Sequence, residues 1–215
     1  MKTRRPSGFT LVELMAVILI IGMMLAVGLP ALMSFRASAV SSGSRAVVNT
    51  LNLARQYAIT QRVPARVVFY YSGTTQDTVK EKRYNTYGIA LGVRNNPTRW
   101  EHVGRWETLP RGAVFGDNSA PGGQPLDSLG PPATMVLRYI YRDGSVMKTG
   151  TWTRTFAFIE FKPTGAAVIS SGGNLGRISV YEGIKDPQGT IIYAESNNRT
   201  DIVFDGLTGR ARILR

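Results

Sequence analysis

GFTLVELMAVILIIGMMLAVGLPALM, residues 8–33 of a 215-residue chain, contains a single charged side chain, Glu13. At ~1.5 Å of rise per residue, a helix over Phe9 to Met33 is long enough to cross a hydrocarbon core of about 30 Å. The eight residues before it, MKTRRPSG, are basic and broken by Pro6 and Gly8. Lys2, Arg4 and Arg5 keep that end in the cytoplasm under the positive-inside rule, so everything after residue 35 is expected outside. A carboxylate inside such a segment is costly and marks a functional position whose partner has to be found. Cutting the chain after Gly8 supplies one. The new α-amino group of Phe9 lies four residues from Glu13, on the same helix face, and can pair with it within one helix or between neighbouring helices. The alternative is a carboxylate that snorkels to the near membrane surface.

A second reading of the same segment is a secretory signal peptide, because Ala37-Ser38-Ala39 fits the small-residue cleavage rule. Against it, Leu14–Leu29 is an uninterrupted apolar or glycine run longer than the usual 7 to 15 residues, with an acid at its edge.

Gly8-Phe9-Thr10-Leu11-Val12-Glu13, behind a short basic leader and ahead of an apolar helix, resembles the processing motif of type IV pilins and type II secretion pseudopilins. The resemblance implies that a prepilin peptidase cuts between Gly8 and Phe9 and methylates the Phe9 amine. It also implies that Glu13 guides assembly by neutralising the amine of a neighbouring subunit, and that the chain works with other pilin-like subunits and an inner-membrane assembly platform. Pro30 sits where these helices commonly carry a proline, which permits a kink or local melting; a plain helix break outside the membrane is the other reading. The expected organisation is a leader at 1–8, a membrane or filament-core helix at 9–34, an amphipathic continuation at 35–63 and a globular head at 64–215. The expected location is the inner membrane, single-pass with the head periplasmic, and then a filament.

Beyond Pro30 a helical period persists. Val40, Val47, Val48, Leu51, Ala54, Ala58 and Ile59 recur at three- and four-residue spacings, with Ser41, Arg45, Asn49, Asn52, Arg55 and Arg62 between them. Pro64 predicts an end near Val63. From Ala65 onward the pattern changes to short β-branched and aromatic runs separated by turn residues. Strands are expected near Arg66–Tyr71, Tyr84–Leu91, Arg99–Glu107, Met135–Arg142, Phe156–Phe161, Ala166–Ser170, Ile178–Glu182, Thr190–Ala194, Asp201–Phe204 and Arg210–Leu214. One helix followed only by strands predicts an α+β fold, with antiparallel sheets laid on the helix. Residues 116–133 are rich in Gly and Pro and read as a long surface loop.

The junction Leu51–Thr60 with Pro64–Phe69 is similar to the GspH/FimT branch of pseudopilins. So are Phe161-Lys162-Pro163-Thr164-Gly165, the Gly172-Gly173 loop and the closing Thr208–Ile213. Residues 72–155 match no recognised pattern.

Composition excludes much chemistry. The chain is 43% hydrophobic and 19% charged, which suits a folded core, and it has no cysteine and one histidine, His102. Disulfides, thiolate metal sites, cysteine nucleophiles and multi-histidine sites are therefore out. No nucleophile elbow, zincin, phosphate-loop or EF-hand motif occurs, and no enzyme activity, metal or cofactor is expected. Strand alternation puts Trp100, His102, Gly104 and Trp106 on one face, read as a core-facing side with a hydrogen-bonded histidine, or alternatively as a stacking surface for bases or sugars.

The formal charge is +12, and removal of the three leader cations leaves +9, which suits an anionic partner. Arg210 and Arg212 share one strand face while Ala211 and Ile213 take the other. Gly209-Arg210-Ala211-Arg212 is similar to a pattern that FimT-like minor pilins use to bind DNA, and Arg199, Arg177 and Arg215 extend the candidate patch. Exposed arginines that merely solvate and protect a sheet edge are the competing reading.

Overall fold

A computed structural model describes residues 10–72, 84–94, 96–122, 125–129, 133–143, 146–169, 174–186, 188–194 and 198–214. One helix, α1, runs from Leu11 to Gln61, about 77 Å at ~1.5 Å per residue. Thr10 caps its start: its backbone is extended, and its hydroxyl accepts the Glu13 amide N–H at 3.3 Å. Its end is set by Arg62, which turns left-handed at φ 54°, two residues before Pro64. That is two residues short of the expected stop.

The helix changes character along its length. Thr10 to Ala26 are all exposed, whereas Val40, Ser44, Val47, Leu51, Ala54 and Ala58 are buried. These six follow spacings of three and four, so they form one stripe. Ser44 is tolerated in it because its hydroxyl donates to the Val40 carbonyl at 2.8 Å. Ile59, expected in the stripe, is instead 38% exposed beside Gly165.

Eleven strands follow among the described residues. β1 (Ala65–Ser72), β2 (Thr86–Val93), β3 (Asn96–Thr108), β5 (Ala133–Asp143), β6 (Val146–Phe161) and β7 (Ala167–Val168) belong to one sheet. β4 (Ala113–Phe115), β8 (Leu175–Lys185), β10 (Arg199–Asp205) and β11 (Ala211–Leu214) belong to the other, with β9 (Ile191–Tyr193) paired to the end of β8. In the first sheet β1 pairs with both β2 and β6, so β1, β2, β3, β5 and β6 form a closed ring, a small barrel. Closure leaves these strands no free long edge.

Two expectations are corrected here. The head is not wholly antiparallel, because β3 and β5 pair in parallel at Arg99–Glu101 and Val136–Arg138. The reason is the connection: after β3 the chain crosses to the second sheet as β4, passes through a 3-10 turn at Leu126–Leu129, and returns to the start of β3. The stretch 116–133 is also more than a surface excursion. Leu126 is fully buried and its N–H donates to the Gly116 carbonyl at 2.9 Å. The Tyr193 hydroxyl donates to the Asp117 carboxylate at 2.8 Å.

Alternation along β1 and β6 divides the barrel wall into two faces. Val67, Phe69, Ile159 and Phe161 point at the helix stripe, where they meet Ile178, Val180, Ile202, Phe204 and Ala211 of the second sheet in one core. The helix therefore lies between barrel and sheet. Val68, Tyr70, Ala90, Trp100, Met135, Leu137 and Phe156 fill the barrel interior. Arg66 enters that interior as well. Its guanidinium lies 3.9 Å from the Trp100 ring and 4.1 Å from the Phe158 ring, and it pairs with Glu160 at 2.7 Å. A cation that has lost water is held by ring faces and a carboxylate together.

His102 and Trp106 stack at 4.5 Å, and Trp106 stacks on Phe156 at 5.8 Å. A side chain at Gly88 would meet His102 Nε2 at 2.8 Å, so glycine there makes room for the stack. The expected hydrogen bond is not found: His102 Nε2 is buried without a partner among the described residues, and burial holds its pKa below the ordinary histidine value. The ring stays neutral at pH 7 and acts as a flat, weakly polar filler.

Because Leu51 sits at the centre of the helix stripe, Leu51→Ala should lower unfolding stability by about 2–5 kcal/mol. Leu53→Ala, on the half-exposed side of the same turn, should change it by roughly 0.5 kcal/mol or less. Urea unfolding of the two variants measures the difference.

Candidate functional site

The second sheet carries the arginines singled out by the sequence. Register fixes their side: Val203 pairs with Arg177 on one flank and Arg212 on the other, and Arg199 pairs with Tyr181. Ile178, Ile202 and Ala211 face the helix, so Arg177, Arg199, Arg210 and Arg212 share the opposite, outer face. Arg215 lies outside the described residues.

The turn that presents Arg210 is built tightly. Gly209 has φ 66° and its N–H donates to the Asp205 carbonyl at 2.7 Å. A Cβ at Gly209 would collide with the Gly165 carbonyl, so both the positive φ and the close approach demand glycine. The Asp205 carboxylate accepts the Thr208 N–H at 2.6 Å. That bond first, then the Thr208 hydroxyl and the Arg212 charge, hold its pKa below the ordinary aspartate value. The helix closes the other side: Asn52 exchanges two hydrogen bonds with Ala211, at 3.2 and 3.4 Å, and Arg55 Nε donates to the Thr208 carbonyl at 2.5 Å. Asn52 thus does for β11 what another strand would do.

What sequence reading missed is the acid in the middle. Asp201 lies 3.7 Å from both Arg177 and Arg199, and it accepts the Ser179 hydroxyl at 2.6 Å. Arg199 also donates to the Pro121 carbonyl at 3.1 Å. Four arginines therefore face two aspartates, a formal excess of two positive charges. Arg210 and Arg212 are exposed and form no ion pair within the 4.0 Å limit among the described residues. They border a cleft of about 410 Å³ with Leu175, Val203, Asp205 and Thr208. The face can hold phosphate oxygens at Arg210 and Arg212, and far less readily at the two arginines already engaged by Asp201.

At the other end of the molecule, Glu13 stands in the first helical turn, three residues after the cap Thr10. Thr-x-x-Glu is the capping-box spacing, and an acid there is favoured by the helix dipole. The bond to Thr10 is made by the Glu13 backbone N–H, and the position of its carboxylate in the first turn suits the helix dipole. Gly8 and Phe9 lie outside the described residues, as does the Gly172-Gly173 loop. Backbone at Pro30 is helical, within an unbroken α1. The helix is also unbroken through Ala39–Val40, and Val40 is 1% exposed in the head core. A cut after Ala39 would split the element on which the head folds. Among the described residues no helix is long and apolar enough to cross a membrane. The exposed apolar stretch with described surroundings, 11–26, is about 24 Å long at ~1.5 Å per residue. The spanning role expected of residues 9–34 therefore rests on the sequence. No cluster of three or more acidic or histidine side chains able to hold a metal occurs among the described residues.

Residues 3–29 match the family model described as the prokaryotic N-terminal methylation motif. No curated protein and no solved structure matched the chain. The motif supports a prepilin-type leader, its processing by a prepilin peptidase, and a structural subunit of the type IV pilin-like class that assembles with other pilins.

Proposed function

We infer that the chain is a minor pseudopilin-type subunit of the GspH/FimT branch, built into a short periplasmic filament of type II protein secretion. The observation that carries this reading is the helix itself: a capped apolar half, exposed from Leu11 to Ala26, continues without a break into a half that forms the core of the head. An apolar surface of that length needs a cover, and lipid followed by the equivalent helices of neighbouring subunits supplies it. In this scheme the leader is removed between Gly8 and Phe9, the Phe9 amine is methylated, and Glu13 pairs with the amine of the next subunit. Before assembly the subunit sits in the inner membrane, N-terminus in the cytoplasm and head in the periplasm, and an inner-membrane platform moves it into the filament. Continuity of α1 means that a pull on the apolar half is felt directly by the head.

A second reading, a FimT-like minor type IV pilin that binds DNA during uptake, is favoured by one observation: Arg210 and Arg212 are exposed together on the outer sheet face and form no ion pair among the described residues.

Glu13→Ala should leave leader cleavage intact and reduce the amount of subunit recovered in sheared filaments; normal recovery would contradict the pairing role. For the second reading, Arg210→Ala with Arg212→Ala should weaken duplex binding equally for all sequences and lower the salt slope by about 2, at ~0.9 for each phosphate no longer neutralised. Asp201→Asn should move affinity the other way. Salt-dependent gel shifts measure both, and unchanged binding in the double variant would remove the DNA reading.

A further inference from the structure

Contacts along α1 fix the direction in which the head's strands run. Gly43 lies against Leu109, Pro110 and Ala113; further along, Asn52 meets Ala211, Arg55 meets Thr208 and Ile59 meets Gly165. β8 begins opposite Asp205, close to the Arg55 level, and reaches Glu182, paired with Ala113, at the Gly43 level. It therefore runs toward the apolar half of the helix. Lys185 lies three residues farther, about 10 Å along the strand at ~3.3 Å per residue. Because β8 covers the 12 helical residues from Arg55 to Gly43 in seven residues of its own, the β8–β9 hairpin descends to about the level of residue 38, roughly a turn and a half of helix from Met33, where the apolar run ends.

The tip is not shaped like an ordinary solvated turn. Ile184 and Ile192 are cross-strand partners, so they stand side by side, and they are 51% and 53% exposed. A cleft of about 530 Å³ opens beside them, with an apolar floor that includes Leu109, Pro110 and Val114 and with Arg111 and Lys185 among its lining. Arg111 is exposed. The acid at the tip, Asp186, is turned inward on the hairpin, where it accepts the Thr190 N–H at 2.8 Å. Paired apolar side chains beside the exposed Arg111, at the height where the lipid headgroups of an embedded helix would lie, form an interfacial surface.

We propose that this base of the head docks on the anionic headgroup layer of the membrane that holds the helix. Ile184 and Ile192 enter the layer, and the exposed Arg111 meets lipid phosphate. Docking fixes the tilt of α1 and the rotation of the head before the subunit is drawn into a filament, and assembly has to break it. The inference rests on the reading of residues 9–34 as a membrane anchor.

The chain has no cysteine, so a single introduced thiol carries a fluorophore at one known place. The full-length chain would be reconstituted in vesicles of phosphatidylcholine with phosphatidylglycerol that contain a headgroup quencher. Labels would be placed in turn through Met24→Cys in the apolar helix, Gln188→Cys at the hairpin tip and Leu207→Cys near the Arg55 level. The expected result is a label at position 24 shielded from water, and a label at 188 quenched several-fold more than one at 207. That excess should vanish in vesicles of phosphatidylcholine alone, and also when Ile184→Ser, Ile192→Ser and Arg111→Glu are combined with the 188 label. Equal quenching at 188 and 207 with position 24 embedded would overturn the docking and leave the anchor standing. A water-exposed label at 24 would overturn the anchor, and the docking with it. Energy transfer between 188 labels without headgroup quenching would put a second copy at this face instead, and would equally overturn the proposal.

Discussion

One apolar stripe on one helix organises the head. Val40, Val47, Leu51, Ala54 and Ala58 are each within 1% of complete burial. β1, β2, β4, β6, β8, β10 and β11 pack against that helix, and β3 reaches it through the Thr50 hydroxyl, which donates to the Glu107 carboxylate at 3.3 Å. Removing the stripe from water helps to join barrel and second sheet, which share no strand, and Phe115 of β4 adds direct edge-on contacts to Phe69 and Tyr87 of the barrel at 5.1 and 5.8 Å. The polar contacts along the same helix have a different role. Asn52 and Arg55 satisfy backbone groups of β11 and its turn that would otherwise face a buried edge.

The barrel shows how a basic chain places cations inside as well as outside. Arg66 lies between two aromatic faces with Glu160 beside it, and its side chain is only 17% exposed. Arg177 and Arg199 are drawn together by Asp201. The Arg66–Glu160 pair adds nothing to the net charge, and Arg177 and Arg199 with Asp201 add one, so most of the excess that an anion would meet comes from cations outside these groups. On the outer sheet, Arg210 and Arg212 form no ion pair among the described residues, although the Arg212 charge acts on Asp205.

The fold was largely legible where the pattern was strong. The three- and four-residue spacing from Val40 to Ala58 predicted the helix, and alternation in Val67–Phe69, Ile178–Val180 and Ile202–Phe204 predicted strands that exist. Two elements escaped. β4 is three residues long, too short for alternation to register, and its fully apolar sequence is explained only by burial on both sides. The first half of β6, Val146–Thr155, is rich in Thr, Lys and Arg, and its pairing with β5 comes from the hairpin register. Barrel closure could not be read locally because it depends on β1 pairing twice. At the candidate sites, the outward side of Arg210 and Arg212 followed from two-residue alternation. Thr10 and Glu13 held the capping-box spacing in plain view. The position of Asp201 between Arg177 and Arg199 needed the register of β8 against β10, which no single segment encodes.

Assembly by this route requires α1 to remain one piece after the leader is removed, with its apolar half retained as anchor and filament core. The most direct measurement is the mass and N-terminal sequence of the mature protein isolated from its native host. A chain that begins at methylated Phe9 is the predicted result, since it keeps Glu13 and the whole exposed stretch attached to the head. A chain that begins at Val40 would contradict it, because the anchor would be gone and the head would be a free secreted domain.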